Sequence, residues 1–96
     1  MQQYIIQSPY SASGATTMER LLCDFFRALE NHIIDEDSIH KLIDEARDRQ
    51  KGILKDHPRL REVEIHRSNS SFGGNVFIQF GQCSVLLKRV AGYYNG

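Results

Sequence analysis

The sequence predicts a small α+β domain, an antiparallel sheet with a two-helix hairpin packed on one face, in the order β-α-α-β-β-β. Three observations predict it. Two stretches between residues 17 and 55 repeat their apolar residues at the helical period. The segments outside them alternate in polarity or run in β-branched and aromatic residues. Phe80-Gly81-Gln82-Cys83 has the composition of a two-residue hairpin turn.

In chain order, Gln2-Gln3-Tyr4-Ile5-Ile6-Gln7 reads as a short strand that stops at Ser8-Pro9. Residues Ser8 to Thr17 collect Ser, Gly, Pro and Thr without periodicity, as a loop leading into a helix does, and Thr16 with Glu19 fits a capping box. From Thr17 to about Ile33, residues Met18, Leu21, Leu22, Phe25, Phe26, Leu29 and Ile33 form an apolar stripe about 140° wide at 3.6 residues per turn. Asp35-Glu36-Asp37 places acidic groups where a second helix begins. Ile39, Leu42, Ile43, Ala46, Ile53 and Leu54 carry that helix to about Lys55, before Pro58. Gln50 interrupts its apolar stripe, and reads as a side chain reaching the core edge or as a polar specificity contact in an oligomer. Gly52 weakens the same helix by about 1 kcal/mol relative to Ala.

Arg61 to Arg67 alternates, sending Val63 and Ile65 one way and Glu62, Glu64 and His66 the other. Ser68 to Gly74 reads as a loop, and Asn75 to Phe80 as the next strand. Gly81-Gln82 suits a type II′ turn, which wants Gly first. The turn sets a register in which Phe80 faces Cys83, Ile78 faces Val85 and Val76 faces Leu87 on the core side. On the other side Gln79 faces Ser84, Phe77 faces Leu86 and Asn75 faces Lys88.

With 96 residues the chain encloses one hydrophobic core, so residues 1–96 are read as one domain. Its 41% apolar and 25% charged residues are those of a globular protein. Twelve Lys and Arg balance twelve Asp and Glu, which disfavours a nucleic-acid partner or an anionic membrane surface. Met1-Gln2-Gln3-Tyr4 lacks the basic start and apolar core of a signal peptide, so a cytoplasmic protein is expected. Cys23 and Cys83 have no CxxC or Cys/His spacing and are expected as free, buried thiols.

No catalytic or metal-ligating constellation is complete. His32, His40, His57 and His66 share no metal-ligand spacing, so neither metal nor cofactor is implied. His32 is expected at the edge of the first helix's apolar stripe, and His40 and His57 in solvent. His66 beside Glu64 and Glu62 has the composition of a carboxylate-supported base and equally of a charged sheet surface. Ser11 to Thr17 leads into a helix N-terminus and offers an anion or small-ligand site without a Walker or GxGxxG pattern. The outward pair Phe77 and Leu86 is the strongest functional candidate. With Phe72, His66, Tyr93 and Tyr94 nearby, it is read as an interface with another copy of the chain or with another protein.

The order strand, two helices, three antiparallel strands resembles the small ribonuclease toxins of the RelE/ParE superfamily. That resemblance implies RNA handled by Arg, His and Tyr near the last strands, where this chain offers His66, Arg67, Lys88, Arg89, Tyr93 and Tyr94. Three functions therefore compete. The first is a non-catalytic interaction or homo-oligomeric protein, such as an accessory protein of a mobile genetic element. The others are a small toxin and a ligand- or anion-binding module.

Overall fold

The computed structural model describes residues 2–71 and 73–90. Its strands are β1 (Gln3–Ile6), β2 (Tyr10–Ser11), β3 (Ile33–Asp35), β4 (Ile65–Asn69), β5 (Val76–Phe80) and β6 (Cys83–Arg89). The helices are α1 (Thr17–Arg27) and α2 (Ile39–Asp56), the second entered through a 3₁₀ turn at Glu36–Ser38. The sheet runs β3-β1-β6-β5-β4, antiparallel throughout, and β2 also pairs with β6. This is the α+β class expected, with helices packed on the sheet and two strands, β2 and β3, that the sequence pattern did not announce.

The hairpin has the expected register: Phe80 pairs with Cys83, Ile78 with Val85 and Val76 with Leu87. Gly81 has φ +62, while Gln82 is not among the positive-φ residues, as a type II′ turn requires. A second constraint acts on the same glycine. The Glu19 carboxylate lies against it, so that a Cβ there would sit 1.7 Å from Oε2. Glu19 is 4% exposed. Its Oε1 accepts the Thr16 N–H (2.8 Å) and its Oε2 accepts the Gln82 N–H (3.3 Å). The capping box that starts α1 thus also holds the β5–β6 turn.

Helix α1 ends at Arg27, six residues short of the expected Ile33. The cause is Asn31, which adopts a left-handed φ of 72 and donates its N–H to the Ile6 carbonyl (2.7 Å). Asn tolerates that conformation better than other side-chain-bearing residues, so it can reverse the chain. Residues 33–35 then pair with β1 as an edge strand. The two helices are therefore separated in sequence by β3, although they pack against each other. Ile33, expected on the apolar stripe of α1, and His32, expected at its edge, are exposed instead.

Strand β2 lies inside the expected loop. Ile6 pairs with Leu87 and Tyr10 with Ser84, four steps on one strand against three on the other. The extra residue makes a bulge around Pro9, which has no N–H to offer the ladder. At the other edge, β4 begins at Ile65 and runs through Asn69, later than its alternation suggested. The Gln50 side chain takes the backbone that precedes it. Its Nε2 donates to the Val63 carbonyl (2.9 Å) and its Oε1 accepts the Val63 N–H (2.7 Å). Arg47 adds a bond to the Ile65 carbonyl (2.9 Å).

The core lies between helices and sheet. Met18, Leu22, Cys23 and Phe26 from α1, and Ile39, Leu42, Ile43 and Ala46 from α2, meet Tyr4, Ile6, Ile65 and the six inward residues of β5 and β6. Phe26 stacks on Phe80, ring centroids 5.2 Å apart. Among the described residues, no helix is long and apolar enough to cross a membrane.

Candidate interaction face

Strand alternation leaves the second face of the sheet without either helix. Ile5 and Ile33 are paired neighbours on that face, as are Phe77 and Leu86. Ile5 pairs with Lys88, which puts Leu86 on its diagonal at a spacing of about 7–8 Å. The four apolar side chains therefore form one stripe across β3, β1, β6 and β5. Ile33 is 57% exposed; Ile5, Phe77 and Leu86 are partly exposed. Tyr10 pairs with Ser84 beside the stripe and is 68% exposed.

Charge is nearly absent from this surface. Among the described strand residues there, only Asp35 and Lys88 carry a formal charge, apart from a protonatable His66. The Asp35 carboxylate caps the 3₁₀ turn by accepting the Ser38 N–H (3.0 Å).

Phe77, Leu86 and His66 share the face, His66 lying one strand away beside Gln79. Phe72, Tyr93 and Tyr94 lie outside the described residues. Ile5, Ile33 and Tyr10 were missed. Ile5 was legible from the first strand's alternation, whereas Ile33 needed Asn31 to be read as a helix terminator. His66 Nδ1 is 3.9 Å from Glu64 Oε1, too far for the hydrogen bond that a carboxylate-supported base requires, and both side chains are exposed.

The basic residues near the last strands divide between the two faces of the sheet. His66 and Lys88 lie on the open face, while Arg67 and Arg89 alternate to the helix-covered side. Arg67 Nη1 donates to Glu36 Oε2 (2.5 Å), and the Tyr4 hydroxyl donates to Glu36 Oε1 (2.7 Å). These two hydrogen bonds, Arg67 first, hold the Glu36 carboxyl below its usual range. Burial, and then the bond to Glu36, push the Tyr4 hydroxyl up. The Arg89 side chain lies against Gly74.

The loop before α1 offers its helix N-terminus less freely than its composition suggests. Thr16 Oγ1 caps the Glu19 N–H (3.3 Å), and the buried Glu19 carboxylate already supplies negative charge there. Among the described residues, no group of three or more His, Cys, Asp or Glu is placed to hold a metal ion. Comparison with protein families, curated proteins and solved structures finds no match for this chain.

Proposed function

We propose that this chain is a non-catalytic, cytoplasmic interaction protein that associates with a second copy of itself through the open sheet face. The observation that carries this reading is the stripe Ile33–Ile5–Leu86–Phe77, continuous over four strands and nearly free of charge. Interface cores are depleted in charged residues and enriched in aromatic ones, while monomers seldom leave a contiguous apolar patch bare. A face pairing with its own copy makes a two-fold contact, in which each residue is used twice. The balanced formal charge sets no net repulsion against such a pair.

Light scattering tests the reading. The wild-type chain is expected at twice its 11.0 kDa mass at micromolar concentration. Phe77→Glu or Leu86→Glu places two carboxylates in a two-fold interface and should weaken association by about 100-fold or more, with circular dichroism unchanged. A wild-type chain that stays at 11.0 kDa at every concentration overturns the proposal.

A further inference from the structure

The two helices share a second, smaller apolar surface that is turned away from the sheet. Leu21 and Phe25, one turn apart on α1, stand with Ile53 of α2 around a groove of about 580 Å³, and no strand residue lines it. All three side chains are half-buried. The Phe25 ring meets the buried Phe26 ring edge-on, centroids 5.1 Å apart, which fixes it as one wall. Along α2 the lining runs from Glu45 to Asp56, about 16 Å at the helical rise.

Gly52 lies in this lining. It is a helix-interior glycine without positive φ, and nothing stands within 4 Å of where its Cβ would be. Neither backbone conformation nor packing within the chain calls for a glycine there, although glycine weakens a helix interior. The missing side chain leaves bare helix backbone, open to close approach from outside.

The rim is acidic. Glu45, Asp48 and Asp56 are exposed on it, against Arg49 as its one formal positive charge, in a chain whose total charge is balanced. Among the described residues none of these three carboxylates is in an ion pair; the pairs are Arg27–Asp24, Arg47–Asp44, His66–Glu64 and Arg67–Glu36. The carbonyl groups in the last turn of α2 add partial negative charge beside Asp56.

We propose that this groove binds a basic amphipathic helix of a partner protein. Its apolar side chains sit between Leu21, Phe25 and Ile53, one of them against the Gly52 backbone, and its Lys or Arg side chains meet Glu45, Asp48 and Asp56. Recognition of this kind takes an apolar floor a few helical turns long and opposite charge along its edges, and the groove has both. The site is separate from the open sheet face, so either can be present without the other.

Fluorescence anisotropy of the full chain with two labelled synthetic helices is the test. Both are about 14 residues long with Leu at helical spacing, one carrying Lys and its twin Glu at the remaining positions. The Lys peptide should bind at micromolar concentration and weaken about tenfold between about 50 and 300 mM salt, and the Glu twin should bind about 100-fold more weakly. Gly52→Ala should weaken binding about tenfold while raising the denaturation midpoint, a split that loss of fold cannot produce. Gly52→Leu should abolish binding, and Asp48→Lys with Asp56→Lys should transfer the preference to the Glu twin. Hydrogen exchange of the complex should show added protection in residues 45–57 and none in β5. Equal binding of the two peptides, no binding up to about 1 mM, undiminished binding to Gly52→Leu, or protection on β5 instead would each overturn the proposal. So would loss of self-association in Gly52→Leu without peptide, which would make a second copy the occupant.

Discussion

Gly81 shows how one residue serves two demands that lie far apart in the chain. The turn asks it for φ +62, which disfavours any side chain, and the Glu19 carboxylate occupies the space a Cβ would need. Gly81→Ala should therefore cost about 2–4 kcal/mol in chemical denaturation, more than the roughly 1–2 kcal/mol of left-handed strain alone. Part of that cost should vanish in a Glu19→Ala background, since the steric conflict is then gone. A double-mutant cycle measures the coupling; strictly additive effects would show that only the turn conformation matters. Glu19 itself was legible as a capping residue from Thr16-x-x-Glu19. Its second hydrogen bond, to Gln82, was not, because it spans 63 positions in the chain.

At the scale of the element, polar side chains decide where regular structure stops. Asn31 ends α1 early, and Gln50 keeps residue 63 out of β4 by taking both its N–H and its C=O. Gln50→Ala would leave those backbone groups short of partners beside a buried helix face, at an expected cost of about 2–4 kcal/mol. Hydrogen exchange at the Val63 amide should rise with it; unchanged exchange there would count against the clamp. Two positions on, Gly52 has nothing within 4 Å of where a Cβ would stand. Gly52→Ala should raise stability by about 0.5–1 kcal/mol, read as a higher denaturation midpoint. Helix α2, periodic from Ile39 and stopped before Pro58, was legible almost to its ends. Strand β3 was hidden, since Ile33 also satisfies the helical period of α1 and only pairing with β1 makes it a strand.

Across the whole molecule, Glu36 links the first strand to the β4 edge through Tyr4 and Arg67. Because its carboxyl is held below the usual 4.5, its contribution is present above that value and is lost as pH falls through the lowered one. Both side chains of the Arg67–Glu36 pair are 37% exposed, so solvent and salt screen it. Arg67→Ala should cost under about 1 kcal/mol at neutral pH, and the difference from wild type should fade on acidification. A deficit that persists unchanged at low pH would mean that packing, rather than the ion pair, is what Arg67 supplies. Assembly through the open face belongs to the same scale, since the stripe exists only once β3, β1, β6 and β5 stand side by side.

By itself, the sequence determined the α+β class, both helix starts, the β5–β6 register and the outward position of Phe77 and Leu86. Those properties follow from local periodicity, capping and turn chemistry, which neighbouring residues carry among themselves. The tertiary structure alone decided that β1 sits between β3 and β6, and that Ile5 and Ile33 extend the outward pair into a stripe. Each of these depends on which strand edge or helix face finds a partner across tens of residues, and a backbone edge offers its hydrogen bonds to any suitable segment. The winning partner is set by the burial of all the apolar faces at once, which no local pattern encodes.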